Sequence, residues 1–138
     1  MKYLLDTNAW VDYLTGRYPT VVARIQQSLP DDLCLSSVVM AELRYGAEKS
    51  RRKKLNHDLL DTLAREVRCV DFDLDGARTY GELRTTLEKR GTPIGPYDMM
   101  IAAHALALGL VVVTDNAREF RRVRSLPVEN WRDRQNVS

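Results

Sequence analysis

Four acidic residues stand where a side chain can leave a folded core and do chemistry: Asp6, Glu42, Asp98 and Asp115. Asp6 ends the apolar run Tyr3-Leu4-Leu5 and is followed by Thr7 and Asn8. Asp115 ends the β-branched run Leu110-Val111-Val112-Val113-Thr114 and is followed by Asn116. A short apolar run closed by polar residues reads as a buried strand. In an open α/β sheet the carboxyl ends of strands line the ligand crevice. Glu42 sits among Met40, Ala41 and Leu43, a poor place for a lone charge unless it faces a pocket. Asp98 follows Gly95-Pro96-Tyr97 and opens the most apolar helix. Each acid alone also has a structural explanation. Asp6 and Asp115 can cap helices, Asp98 suits the dipole of a first turn, and Glu42 is a helix former that can face water.

Together the four have a joint explanation that capping lacks. Carboxylates roughly 4 Å apart repel by on the order of 4 kcal/mol per pair at an effective dielectric of about 20. Such a cluster persists only around a cation. Oxygen ligands without Cys or His select Mg2+ or Mn2+. A water on such a metal becomes nucleophilic and phosphate oxygens complete its shell, so a phosphodiester is hydrolysed without a histidine base. Thr7, Asn8, Thr114 and Asn116 are expected to orient the carboxylates from a second layer. Thr7 or Asn8 is also expected to cap the first helix, leaving Asp6 free for the metal. His104 lies six positions past Asp98 on one helix and points elsewhere, and His57 follows a basic run and is expected to be exposed. Neither is assigned to catalysis.

The elements that must position these acids follow in order. Ala9–Thr15 has helical spacing and stops at Gly16; Pro19 opens a helix over Thr20–Ser28; Pro30-Asp31-Asp32 is a turn; Leu33–Ser36 is a strand. Ser37 is expected to cap a helix reaching Lys49, in which Gly46 costs about 1 kcal/mol relative to alanine and suggests a close approach or a kink. Leu55, Leu59, Leu60 and Leu63 mark another helix, Val67–Phe72 a strand, and Asp73 the cap of a helix to Arg90 with Gly91 as its stop. Thr92–Pro96 is a rigid loop, Tyr97–Leu108 a helix, Leu110–Thr114 the strongest strand, Ala117–Phe120 a short helix, and a last strand precedes Trp131. Strands alternating with helices predict an α/β fold with a mainly parallel sheet covered on both faces.

The 138 residues make one domain, expected over residues 1–131, with 132–138 a flexible tail. No apolar run approaches the roughly 20 residues that span a bilayer, and no signal-type segment opens the chain; the expected location is cytoplasmic. Cys34 and Cys69 lie in apolar runs and are expected to be buried, with no metal-type pairing. The formal charge is +2, from 21 basic against 19 acidic residues. Setting four acids aside in one site leaves a clearly basic shell, which suits a polyanion. Basic clusters occur at 51–54, at Lys89-Arg90 and at Arg118, Arg121, Arg122 and Arg124. Charge runs are usually solvated faces, but the third follows Asp115 directly. Arg118, Arg121 and Arg122 are therefore the candidates for RNA phosphates. Tyr97, Tyr45 and Trp10 are candidates for base stacking, with core packing the commoner fate.

Four segments carry a family resemblance: Leu4-Leu5-Asp6-Thr7-Asn8; Ala41 to Ala47; Gly91 to Asp98 with Ile101 to Ala105; and Val113-Thr114-Asp115-Asn116 with Arg118-Glu119-Phe120. In this order and spacing they resemble PIN-domain ribonucleases, and more narrowly VapC-type toxins of type II toxin–antitoxin pairs. The resemblance runs from Lys2 to about Trp131. It implies a three-layer α/β/α sandwich and Mg2+- or Mn2+-dependent endoribonuclease activity, with Asp6, Glu42, Asp98 and Asp115 as catalytic acids and metal ligands. Relatives often have Asn where Asp115 stands. The family further implies a tRNA substrate, in some members initiator tRNA. It implies a homodimer and a cognate VapB-type antitoxin whose C-terminal segment lies along a helical groove and can put a basic side chain into the acidic site. In the higher assembly, operator DNA is bound through the antitoxin. Two other classes remain open on the residues: a non-catalytic RNA- or partner-binding module of the same fold, and a phosphatase using Asp6 as nucleophile. The latter needs a second Asp where Asn8 stands.

Overall fold

The computed structural model describes residues 1–132. In chain order the elements are β1 (Tyr3–Leu5), α1 (Thr7–Thr15), α2 (Pro19–Gln27), a 3-10 turn (Pro30–Asp32), β2 (Leu33–Ser36), α3 (Ser37–Lys49) and α4 (Lys53–Glu66). They continue with β3 (Arg68–Val70), α5 (Leu74–Lys89), α6 (Pro96–Leu108), β4 (Val111–Val113), α7 (Ala117–Phe120) and β5 (Val128–Glu129). The strands form one sheet of order β3-β2-β1-β4-β5, and every pairing is parallel. The chain steps outward from β1 to β3, then returns to the other side of β1. With right-handed crossovers, that reversal puts the helices following β1 and β2 on one face and those between β3 and β5 on the other. The result is the α/β/α sandwich.

The sequence explains why these elements hold. Leu4, Leu5, Leu35, Val112 and Val113 are buried in the sheet, and Trp10, Ile101, Phe120 and Trp131 cover it. α6 is apolar nearly all round, as a helix packed on several sides must be. It ends at Gly109, whose left-handed φ of 70° suits only glycine without strain. Among the described residues no helix is long and apolar enough to cross a membrane.

Several local expectations shift. Ser36, not Ser37, caps α3, its hydroxyl accepting from the Val38 N–H at 3.1 Å. The third strand is shorter than Val67–Phe72 and lies at the sheet edge, so Arg68 and Cys69 are exposed; Cys69 is not a core residue. Gly46 is not explained by a close approach, since a Cβ there would meet nothing within 4 Å. His57 is half-buried, its Nδ1 2.9 Å from Arg44 and its Nε2 2.6 Å from Glu48. His104 is a core residue, with Nδ1 2.9 Å from the Ser36 hydroxyl and its ring edge-on to Phe72. Arg132, expected in the tail, is anchored instead: its guanidinium bonds Asp12 and Asp115. The rest of that expected tail, residues 133–138, lies outside the described residues.

Candidate active site

β1 and β4 are neighbours, and they flank the point where strand order reverses, the position at which open α/β sheets bind ligands. Both end in an acid. The Asp6 N–H still donates to the Val113 carbonyl at 2.9 Å, so the sheet ladder fixes its backbone. Its carboxylate is 4% exposed. One oxygen accepts from the Ala9 N–H at 2.9 Å and so caps α1; the other accepts from the Thr114 hydroxyl at 2.6 Å. Asp6 is thus both cap and site residue, and neither Thr7 nor Asn8 takes the cap from it. Burial pushes its pKa up to about 7. The charges of Asp115 and Asp98 add to that rise, and the Thr114 and Ala9 bonds oppose it.

The other three acids converge on the same end of the sheet, each with its own donor. Glu42, on α3, accepts from the Thr7 hydroxyl at 2.7 Å. Asp98, in the first turn of α6, accepts from the Asn116 amide at 3.2 Å. Asp115 lies 3.5 Å from the Asn8 amide and 2.9 Å from an Arg132 nitrogen. The four expected orienting residues therefore each hold a different acid, and Thr7 and Asn8 act across elements rather than on Asp6. Partial burial raises the pKa of Asp98, as do the charges of Glu119, Glu42 and Asp115, while the Asn116 bond lowers it.

Two further charged groups belong to this region and are not among the expected site residues. Glu119 accepts from the same Asn116 amide at 2.8 Å, so one side chain bridges two acids. Its position one helical turn beyond Asp115, inside Arg118-Glu119-Phe120, is the signal that identifies it. Arg132 meets Asp12 120 positions away, a pairing that only the fold reveals. Of the basic candidates, Arg118 and Arg121 are exposed. Arg122 donates to the Pro93 carbonyl at 2.7 Å and so fastens the loop before Asp98. Tyr45 and Tyr97 are exposed, though the Lys49 ammonium lies over the Tyr45 ring at 4.3 Å, whereas Trp10 is fully buried and is a core residue.

Among the described residues, no three of these acids form a ready-made ion site. Each is kept in place by a hydrogen bond, and mutual repulsion opposes closer approach. The donor set nevertheless fits a hard divalent cation: it is all oxygen, with no imidazole or thiolate in it. A buried carboxylate whose charge is as disfavoured as that of Asp6 is relieved by a cation.

Comparison with known proteins agrees with this geometry. The PIN domain family model matches residues 3–126. The chain is 37% identical over 131 residues, 95% of its length and 98% of the relative's, to the tRNA(fMet)-specific endonuclease VapC of Salmonella typhimurium. It is 40% identical over 133 residues to Ribonuclease VapC2 of Rickettsia felis, again covering 95% of this chain and 98% of the relative. A chain of DNA-bound VapBC from Salmonella typhimurium superposes with a TM-score of 0.88 at 37% identity, over 95% of this chain and 98% of that one. The chain of DNA-bound VapBC2 from Rickettsia felis gives 0.87 at 36%, over 95% and 99%. The chain belongs to the PIN-domain family, within its branch of VapC-type ribonucleases.

Proposed function

We propose that this protein is a divalent-metal-dependent endoribonuclease, the toxin of a type II pair, and that it is silenced by a VapB-type antitoxin. The observation that carries the reading is the pair of acids at the carboxyl ends of adjacent parallel strands, Asp6 and Asp115, with Asp98 and Glu42 within electrostatic reach. Asp6, Asp98 and Glu42 would hold the cation, Mg2+ or Mn2+, with Asp115 and Glu119 at the rim. When bound, the cation supplies an acidified water and offsets the charge that develops on the phosphate. The protein's own part is orientation. Thr114 fixes one oxygen of Asp6, Thr7 fixes Glu42, and Asn116 ties Asp98 to Glu119. Exposed Arg118 and Arg121 supply phosphate contacts.

The substrate we propose is tRNA, initiator tRNA included, following the activity named for the Salmonella relative. The antitoxin's place is a groove of about 420 Å³ formed by α1, α3 and α4, whose apolar lining includes Val11, Leu14, Leu43, Ala47, Leu59 and Leu60. Thr7 and Glu42 line it too, so an occupant runs directly past Glu42. Operator DNA is then bound through the antitoxin, a reading supported by the DNA-bound VapBC complexes of the Salmonella and Rickettsia relatives. A homodimer and a cytoplasmic location complete the proposal.

The test is cleavage of tRNA by purified protein with Mg2+ or Mn2+. Cleavage that stops with EDTA and returns with the metal is expected. RNA binding without metal-dependent cleavage would establish a binding module instead. Thr114→Val probes the orientation directly. Losing its hydroxyl removes a bond that lowers the Asp6 pKa. Turnover should fall roughly 10–100-fold, as for other residues that support metal ligands. The acid limb of the pH–rate profile should move to higher pH. An unmoved profile would refute this role for Thr114.

A further inference from the structure

We propose that Arg132 is a positioning residue of the active site, which holds Asp115 in a fixed orientation at the rim of the acidic cluster. The inference rests on the reading of Asp115 as a member of that site.

Arg132 is built in on several sides before it reaches Asp115. Asp12, on the buried side of α1, is 3% exposed. Two nitrogens of Arg132 donate to its two oxygens, Nε at 2.6 Å and the second at 2.9 Å. This is the parallel fork that guanidinium makes and ammonium does not. The guanidinium carbon lies 4.1 Å from the centre of the Tyr18 ring. The Arg132 N–H donates to the Asn130 side-chain oxygen at 3.0 Å, and its carbonyl accepts from the Thr20 hydroxyl at 3.3 Å. A side chain gripped in this way has little rotamer freedom left. Its remaining terminal nitrogen donates to an Asp115 oxygen at 2.9 Å.

Asp115 needs such a partner. It follows β4 at the switch point, and its charge raises the pKa of both Asp6 and Asp98. The Asn8 amide is 3.5 Å away, at the limit of a hydrogen bond. Arg132 therefore supplies the firmer hold. It also offsets part of the negative charge at the rim without occupying the place where a cation would sit among the acids. Without it, Asp115 is free to turn and the cluster is more negative. Turnover should fall while the Mg2+ concentration for half-maximal activity also falls. A purely structural role, as counter-ion of Asp12, predicts neither combination.

The experiment is a double-mutant cycle read by kcat, KM and Mg2+ dependence for cleavage of bulk tRNA. Thermal melts verify the fold of each variant. Arg132→Ala and Asp115→Asn are each expected to lower kcat about 10–100-fold with KM little changed. The double variant should be no worse than Asp115→Asn alone. Arg132→Lys keeps the charge but loses the fork, and should fall between. Because Arg132→Ala leaves Asp12 buried without its partner, Arg132→Ala is also made with Asp12→Asn. That protein should stay folded and remain slow. Wild-type turnover in it would overturn the proposal, because Arg132 would then serve Asp12 only. Losses that multiply in the double variant would also overturn it. Full turnover by Asp115→Asn, with none by Asp6→Asn, would remove Asp115 from the site and this inference with it, leaving the nuclease reading intact. Full turnover by Asp6→Asn would overturn the nuclease reading itself.

Discussion

Asp6→Asn is expected to abolish metal-dependent RNA cleavage and, in the same protein, to raise the melting temperature of the metal-free form at neutral pH. Both effects have one cause. Folding moves the Asp6 carboxyl from its ordinary pKa of 3.8 to about 7, mainly by burial. The folded state therefore binds that proton more tightly than the unfolded chain does. Between pH 3.8 and 7 the unfolded chain has released it and the folded protein has not, so stability falls as pH rises across that window. Above it, the full penalty of a buried, uncompensated charge is present, on the order of 4 kcal/mol for a shift of this size. Asparagine removes the charge, can still accept from the Ala9 N–H, and forfeits only the proton of the Thr114 hydroxyl, a cost of about 1 kcal/mol. The metal-free variant should melt several degrees higher at pH 7.5, and its stability should fall less from pH 5 to 7.5 than that of the wild type. Cleavage should fall by more than about 100-fold, beyond the cost of losing a supporting residue. Thermal melts at the two pH values, with and without Mg2+, check the first part. A wild type that is equally stable at pH 5 and 7.5 would contradict it. Added Mg2+ should stabilise the wild type and not the variant, because a ligand that binds only the folded state adds to its stability.

That coupling of site and instability clarifies what the chain itself discloses. The acids at strand ends are legible because two local signals coincide: an apolar run that must be buried, and a polar residue that ends it. Asp6 and Asp115 repeat the signal, and the parallel α/β pattern makes the ends of their strands neighbours. Asp98 and Glu42 are legible as acids in apolar company. The donors are legible as types but not as pairings, since Thr7 reaches Glu42 on another helix and Asn8 reaches Asp115 across 107 positions. Such partnerships depend on how elements pack, and periodicity carries no information about that. Cys69 and Trp10 show the same limit from the other direction. An apolar run does not say whether its strand lies at the centre or the edge of a sheet, and an aromatic residue after a strand does not say which way its helix faces. Arg132 was beyond local reading altogether, because its partner Asp12 looks like a surface acid until α1 turns it inward.

Gly46→Trp should separate the two surfaces of the protein, leaving RNA cleavage intact while making the enzyme resistant to its antitoxin. A glycine in mid-helix costs roughly 0.5–1 kcal/mol relative to alanine, so one that no neighbour requires needs another reason. A Cβ at Gly46 would meet nothing within 4 Å, and the residue lines the groove between α1, α3 and α4. Its absent side chain keeps that groove open. Gly46→Ala should therefore stabilise the fold by about 0.5–1 kcal/mol with modest effect on the antitoxin. The indole of Gly46→Trp takes up space that an amphipathic helix laid in the groove would need. Affinity for the antitoxin of the same operon should drop more than about 100-fold, nearly 3 kcal/mol, the size of loss typical where a central contact of an interface is disrupted. Asp6, Asp115 and Asp98 are positioned by β1, β4 and the start of α6, and none of the three lines the groove, so kcat for free enzyme should stay near the wild-type value. Glu42 lies one turn from Gly46 on α3 and lines the same groove, but its bond from the Thr7 hydroxyl at 2.7 Å holds its carboxylate in place. Calorimetric titration and cleavage assays on the same preparation decide the matter. Unchanged antitoxin affinity in the Trp variant would place the partner elsewhere, and loss of both properties together would show that the groove and the acids are one site.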